Sequence, residues 1–337
     1  VGLSLSRVPV RRGWERSGKS RVPSAGKEGA GLTGAAGPRC FEGWYFKHSA
    51  EGRVYSFIPG LATGSDGKCT AFLQMISREG SRFFRYPAES FHTDPKKLFV
   101  SVGDSVFSAA GADLSVSQGG IRVSGRLRYS AFQPIRRSVY CPTVMGPFSY
   151  LRFLECSHDV VSMNHKIDGE LNINGKTVDF AGGAGYIERD AGKSFPKAWV
   201  WYQSNRFSQP GDSVMLAAAR VPVGLFSFSG LLCVCRISGR EYRLATYYGG
   251  RLERVFRSGN DIGLVARQGG CRLEIRVRAG GGQELKAPLL GDMTRVIREF
   301  PCCGSAVLLM KNGTVVMKDR GDCAGFEQVG GLREFGL

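Results

Sequence analysis

The stretch Glu170-Leu171-Asn172-Ile173-Asn174-Gly175-Lys176-Thr177-Val178-Asp179-Phe180 decides the fold class. Leu171 and Ile173 alternate with polar residues, Asn174-Gly175 supplies a two-residue turn, and Val178 and Phe180 alternate on the return, so the segment predicts a β-hairpin with one buried face. The same period of two runs through Ile121 to Tyr129 and through Cys271 to Arg278, where apolar residues take one face and arginines the other. Half-buried antiparallel strands have this pattern. Turn signals recur at strand-like intervals from Pro38 onward, among them Glu51-Gly52, Asp66-Gly67, Asp168-Gly169, Ser238-Gly239 and Asn312-Gly313. Roughly fifteen or more strands follow from these signals, with one modest helix expected around Gly291 to Phe300. That is too many strands for one small barrel, whereas two barrels of about eight strands, each wide enough for a single small ligand, fit the length. A propeller would need a blade-length repeat, and the sequence has none. The expectation is an all-β chain with two antiparallel barrels in tandem, at residues 38–195 and 196–333, and few short helices. Residues 1–37, rich in Gly, Ser and Arg, read as a disordered N-terminal extension.

Composition narrows the function. The chain has 337 residues, 46 Lys and Arg against 29 Asp and Glu for a net charge of +17, 11% aromatics and 47 Gly. This excludes disordered, collagen-like and helical-bundle classes. The basic residues are spread along the chain without a zinc-finger spacing or an aromatic-basic RNP-like strand, so no nucleic-acid partner is expected. A basic surface that meets anionic lipid headgroups is the alternative to a merely solvated one. The longest uncharged apolar run, Val221 to Cys235, is interrupted by Pro222, Gly224 and Gly230 and is too short to cross a bilayer as a helix. The first residues lack the apolar core of a secretory signal. Ten cysteines with no Cys-x-x-Cys pair read as reduced thiols. The expected location is the cytoplasm, with the inner face of the membrane as the alternative.

Two segments concentrate aromatic and ionisable residues. In Phe41-Glu42-Gly43-Trp44-Tyr45-Phe46-Lys47, alternation puts Glu42, Trp44 and Phe46 on one face and Phe41, Gly43, Tyr45 and Lys47 on the other. Glu42 either pairs with a basic neighbour or lines a site. In Gly185 to Pro196, alternation gathers Tyr186, Glu188 and Asp190 on one face, with Ile187, Arg189 and Ala191 opposite. Two carboxyls and a phenol in an apolar cavity would raise a carboxyl pKa by desolvation and like charge, as a general acid at neutral pH requires. The other reading is a structural network neutralised by Arg189 or Lys193. Trp199 and Trp201 share a strand face, as core packing or as a flat apolar wall. His158 and His165 flank one strand without metal-ligand spacing, so no metal and no cofactor are expected. Nucleophile-elbow, Walker A and dinucleotide motifs are absent.

These segments carry a resemblance to the tocopherol cyclase family, especially its bacterial members. The matching pieces are FEGWYFK at 41–47, SMNHKIDG at 162–169, GYIERDAGKSFPKAWVWYQSN at 185–205, REYRLATY at 240–247 and APLLGDMTRVIRE at 287–299. More distantly the chain resembles carotenoid hydratases and related two-barrel, lipocalin-like proteins. The resemblance implies lipocalin-like barrels, a hydrophobic isoprenoid or lipid ligand, and a cyclase-type isomerase (an intramolecular lyase). Such an enzyme protonates a side-chain double bond of a prenylated hydroquinone, and the ring hydroxyl closes a chroman. A non-catalytic carrier or sensor of a lipid is the alternative on the same fold. The implied proton donor is Glu188, with Asp190 second and Tyr186 beside it, and His165 as an orienting or deprotonating group. The implied substrate-binding residues are Glu42, Trp44, Asn164, Trp199, Trp201 and Gln203. Where plant members carry an Asn-Trp-Gly-Gly-like run, this chain has Asp190-Ala191-Gly192-Lys193, one aromatic fewer.

Overall fold

The computed structural model describes residues 39–331 except 152, 224 and 225. The expected extension at residues 1–37 lies outside the described residues. The first sheet contains β1 (Cys40–Ala50), β2 (Arg53–Thr63), β3 (Cys69–Ser77), β4 (Ser81–Pro87), β5 (Phe91–Thr93), β6 (Phe99–Val102), β7 (Ser105–Ser108), β8 (Gly111–Gln118), β9 (Ile121–Gln133), β10 (Cys156–Ile173), β11 (Lys176–Asp179) and β12 (Gly183–Gly192). The second contains β13 (Trp199–Ser204), β14 (Ser213–Val223), β15 (Phe226–Ile237), β16 (Arg240–Ala245), β17 (Arg251–Ser258), β18 (Asp261–Gln268), β19 (Cys271–Arg278), β20 (Gln283–Leu289), β21 (Asp292–Lys311) and β22 (Thr314–Val329). Every pairing is antiparallel, and the only helical pieces among the described residues are short 3-10 turns such as Gly146–Tyr150. The protein is all-β, with two lipocalin-like antiparallel sheets, each curled around its own core.

The deciding hairpin forms as read. Leu171 pairs with Val178 and Ile173 with Lys176, and Asn174 and Gly175 take φ of 51° and 86°, the left-handed pair that a tight hairpin turn demands. Leu171, Val178 and Phe180 are buried and join a core with Phe46, Phe107, Val123 and Leu127. Each sheet curls back on itself so that strands far apart in its order touch. Gln118 on β8 exchanges two 3.1 Å hydrogen bonds with the Arg85 backbone on β4, and Gln268 on β18 accepts from the Ala245 amide on β16 at 2.8 Å.

The expected helix at Gly291 to Phe300 is instead the start of strand β21. Met293, Val296, Ile297 and Phe300 fall at helical spacing, which invited the helical reading. Yet Leu290 and Gly291, at φ of 50° and 83°, turn the chain back on β20, and burial then alternates through Ile297 and Glu299. Gly291 is required there, because a Cβ would lie 2.1 Å from the Thr63 carbonyl oxygen.

The sheets pack through β1 and β13, whose residues are buried on both faces because one face looks into a barrel and the other toward the partner barrel. Tyr45, Ile76 and Tyr186 of the first sheet share a core with Trp199, Trp201, Leu285 and Ile297 of the second. Polar ties flank this core. Lys47 Nζ donates to Gln203 Oε1 and to the Cys323 carbonyl, both at 2.7 Å, and the Gln74 amide pairs with the backbone of Lys286 at 2.9 Å.

Candidate active site

A cavity of about 350 Å³ lies between the two barrels. Its walls are mostly apolar: Phe41, Gly43 and Tyr45 of β1, Met145 and Phe148 of the connection between β9 and β10, and Phe195, Trp199 and Trp201. The ionisable groups that reach it include His158, Glu188, Asp190 and Glu327. Pockets of this size and polarity suit small apolar ligands fixed by a few polar groups.

Strand register builds the acidic end. On β12, period-2 alternation directs Glu188 and Asp190 to the cavity, and β10 lies beside it with His158 opposite Asp190. His158 Nδ1 and Asp190 Oδ1 are 2.8 Å apart, and His158 Nε2 stands 3.9 Å from Glu188 Oε2. Glu188 Oε2 accepts hydrogen bonds from the Tyr186 hydroxyl at 2.5 Å and from Trp201 Nε1 at 3.1 Å. Burial pushes the Glu188 carboxyl up to about 7. The His158 charge opposes this, the Asp190 charge adds to it, and the two hydrogen bonds again oppose it. Burial disfavours the His158 cation, yet the charge and hydrogen bond of Asp190, together with the charges of Glu188 and Asp159, outweigh it and bring the imidazole up to about 9.

A second acidic group faces the same space from the other barrel. Trp199 Nε1 donates to Glu327 Oε2 at 2.7 Å, and burial followed by the charge of Glu299 holds Glu327 well above the usual carboxylate range. Behind it, Glu299 accepts from the Tyr45 hydroxyl at 2.6 Å and is pushed up to about 7 by burial, against the Tyr45 hydrogen bond and the Lys47 charge. The cavity therefore holds two carboxyls raised above the usual carboxylate range, Glu188 to about 7 and Glu327 well above its ordinary value, walled by aromatic rings.

The donor atoms of His158, Glu188 and Asp190 lie within 4.8 Å of one another, a grouping that could hold a metal ion. Asp190 Oδ1 pairs with His158 Nδ1 and Glu188 Oε2 takes two hydrogen bonds, while the buried His158 Nε2 has no hydrogen-bond partner.

Of the residues singled out from sequence, Glu188, Asp190, Trp199 and Trp201 meet at the cavity, with Tyr186 directly behind Glu188. The others lie elsewhere. Glu42 and Trp44 face into the first barrel, where Glu42 Oε1 accepts from Trp44 Nε1 and from Arg189, and the Arg189 guanidinium covers the Trp44 ring at 5.1 Å. The opposite face of that motif, with Phe41, Gly43 and Tyr45, is the cavity wall. His165 is packed against Tyr129 and Phe132, over Gly185, where a Cβ would lie 2.1 Å from Nε2. Asn164 is bonded by Asn205, and Gln203 is buried under Lys47. Ala191, where the resemblance implied an aromatic, lies on the face of β12 that holds Ile187 and Arg189, away from the cavity; the wall loses nothing there. Sequence reasoning missed His158, Tyr45, Glu299 and Glu327. Tyr45 was legible from the alternation of its motif, but the other three reach the site through long-range strand pairing.

Residues 135–299 match the tocopherol cyclase-like family. The resemblance read from the motifs is borne out over this segment, which carries His158, Tyr186, Glu188, Asp190, Trp199 and Trp201. Phe41, Tyr45 and Glu327 complete the cavity from outside the tocopherol cyclase-like segment. Among solved structures, CghA with Sch210972 is similar with a TM-score of 0.57 and 12% identity, covering 87% of this chain and 89% of that one. Kievitone hydratase from Nectria haematococca is similar with a TM-score of 0.50 and 13% identity, covering 93% and 96%. At these identities the likeness is one of fold. Among curated proteins none matches the sequence.

Proposed function

We propose that the chain is an acid catalyst that closes a ring on a prenylated hydroquinone or related isoprenoid to give a chroman. The observation that carries this reading is Glu188, a buried carboxyl pushed up to about 7, reaching an apolar cavity and held by Tyr186 and Trp201. The tocopherol cyclase-like segment and the fold support a related catalytic or lipid-binding function.

In the proposed step the Glu188 O–H bond breaks and a C–H bond forms at the side-chain alkene, leaving a tertiary carbocation. The faces of Trp199, Trp201 and Tyr45 stabilise that charge. The ring hydroxyl oxygen then forms the C–O bond, and its proton returns to the Glu188 carboxylate, so substrate and product are isomers. Tyr186 positions the carboxyl. The apolar wall keeps out water, which would otherwise capture the cation and give a tertiary alcohol.

His158 favours a second reading, a non-catalytic lipid carrier. Its imidazolium, 3.9 Å from Glu188, stabilises the ionised carboxylate, a poor proton donor. Glu188→Gln separates the two. Catalysis predicts chroman formation by the native protein and a loss of at least about a hundredfold in the variant with ligand affinity retained. Equal turnover removes Glu188 from the mechanism, and tight retention of an unchanged quinol by the native protein supports the carrier.

A further inference from the structure

The described residues of the connection between β9 and β10, 134–151 and 153–155, line the outer part of the cavity and leave apolar side chains in water. Val139, Tyr140 and Phe153 are 79%, 80% and 66% exposed, with Tyr150 and Leu151 beside them. Tyr248 of the second barrel extends the patch, since its hydroxyl contacts Cys141 Sγ at 3.1 Å. Contiguous exposed aromatics of this kind mark an interaction surface. The segment is anchored: Arg137 binds Asp159 Oδ2 at 3.0 Å and the Val160 carbonyl at 3.1 Å, the Tyr247 hydroxyl donates to the Val144 carbonyl at 2.9 Å, and Ile135 and Val144 are buried. Its exposed residues are thus presented on a fixed frame.

Two observations identify the occupant. Leu151 and Phe153 belong both to the exposed patch and to the cavity lining, so the apolar patch is continuous with the cavity wall. Exposed Arg136 stands at the root of the segment in a chain of net charge +17. Tyrosines and an apolar tip flanked by arginine suit the headgroup region of an anionic bilayer. We propose that this face docks on an anionic phospholipid surface and loads the cavity from the membrane. The inference goes beyond the proposed reaction, because a carrier would use the same door.

The test is flotation of the full chain with vesicles of phosphatidylcholine alone and of phosphatidylcholine with phosphatidylglycerol, at low and at physiological salt. The native protein is expected to float with the anionic vesicles. The double variant Val139→Ser/Tyr140→Ser, changed only at largely exposed positions, should partition about tenfold less at an unchanged thermal midpoint. Arg136→Glu should weaken binding to the anionic vesicles by about tenfold and leave the neutral ones unaffected. Native protein that stays behind with both vesicles overturns the proposal, as does a double variant that floats like the native chain. A concentration-dependent dimer abolished by the same double variant, without flotation, assigns the patch to a second copy of this chain and also overturns it.

Discussion

Glu188→Gln tests the electrostatics of the cavity apart from any substrate. Glu188 is 6% exposed, and its carboxyl rises from an ordinary 4.5 to about 7. In this window the native state holds a proton that the unfolded chain has released, so stability falls as pH rises: the contribution is full below about 4.5 and is lost through about 7. At about 1.4 kcal/mol per pH unit, titration between pH 5 and pH 8 withdraws about 2 to 3 kcal/mol from the native protein. Glutamine keeps the shape and an acceptor for Tyr186 and Trp201 but does not titrate. Its presence also lets His158 fall back toward its ordinary value, which acts in the same sense. Urea unfolding of both proteins at pH 5 and pH 8 should therefore show the variant gaining about 2 to 3 kcal/mol on the native chain as pH rises. Parallel pH dependence of the two proteins would refute the reasoning.

Trp201→Phe retains the ring but removes the hydrogen bond to the ionised carboxylate, so Glu188 should titrate about one to two units higher; the pH–rate profile should extend by that much toward alkaline pH, and an unmoved profile would contradict it. Arg189→Met should cost about 3 to 5 kcal/mol in urea unfolding by leaving Glu42 buried and unpaired, while ligand affinity holds, because that pair faces the first barrel. A weakened affinity at full stability would put Glu42 and Arg189 back in the site. Gly291→Ala should lower stability by more than about 1 kcal/mol, since φ is 83° and a Cβ meets the Thr63 carbonyl; an unchanged thermal midpoint would count against the tight approach.

Much of the fold was legible because sheet-forming residues announce a period of two over a few residues. Leu171, Val178, Val123, Leu127, Leu273 and Ile275 all take the buried face that their alternation assigns. Met293 to Phe300 misled because Met293, Val296, Ile297 and Phe300 fit the helical period, whereas the strand splits them between its two faces, with Ile297 buried and Val296 exposed, and the left-handed turn at Leu290-Gly291 that starts the strand lies against Thr63, far away in sequence. The site was half legible. Tyr186, Glu188 and Asp190 share a face by alternation alone, and Trp199 and Trp201 do likewise. Which face of Phe41 to Lys47 points at the cavity depends on the second barrel, which a local pattern does not encode. His158 becomes a partner of Asp190 only when β10 pairs with β12, and Glu299 and Glu327 become neighbours only when β21 pairs with β22. Such groups carry no local signature.

The central claim is that a cavity carboxyl hands a proton to a carbon of the ligand. The direct measurement is incubation of a prenylated hydroquinone with the purified protein in heavy water, followed by mass spectrometry of the product. The account predicts a chroman with one deuterium fixed on carbon, formed by the native chain and lost in Glu188→Gln. Quinol recovered unchanged, or a chroman without carbon-bound deuterium, would contradict it.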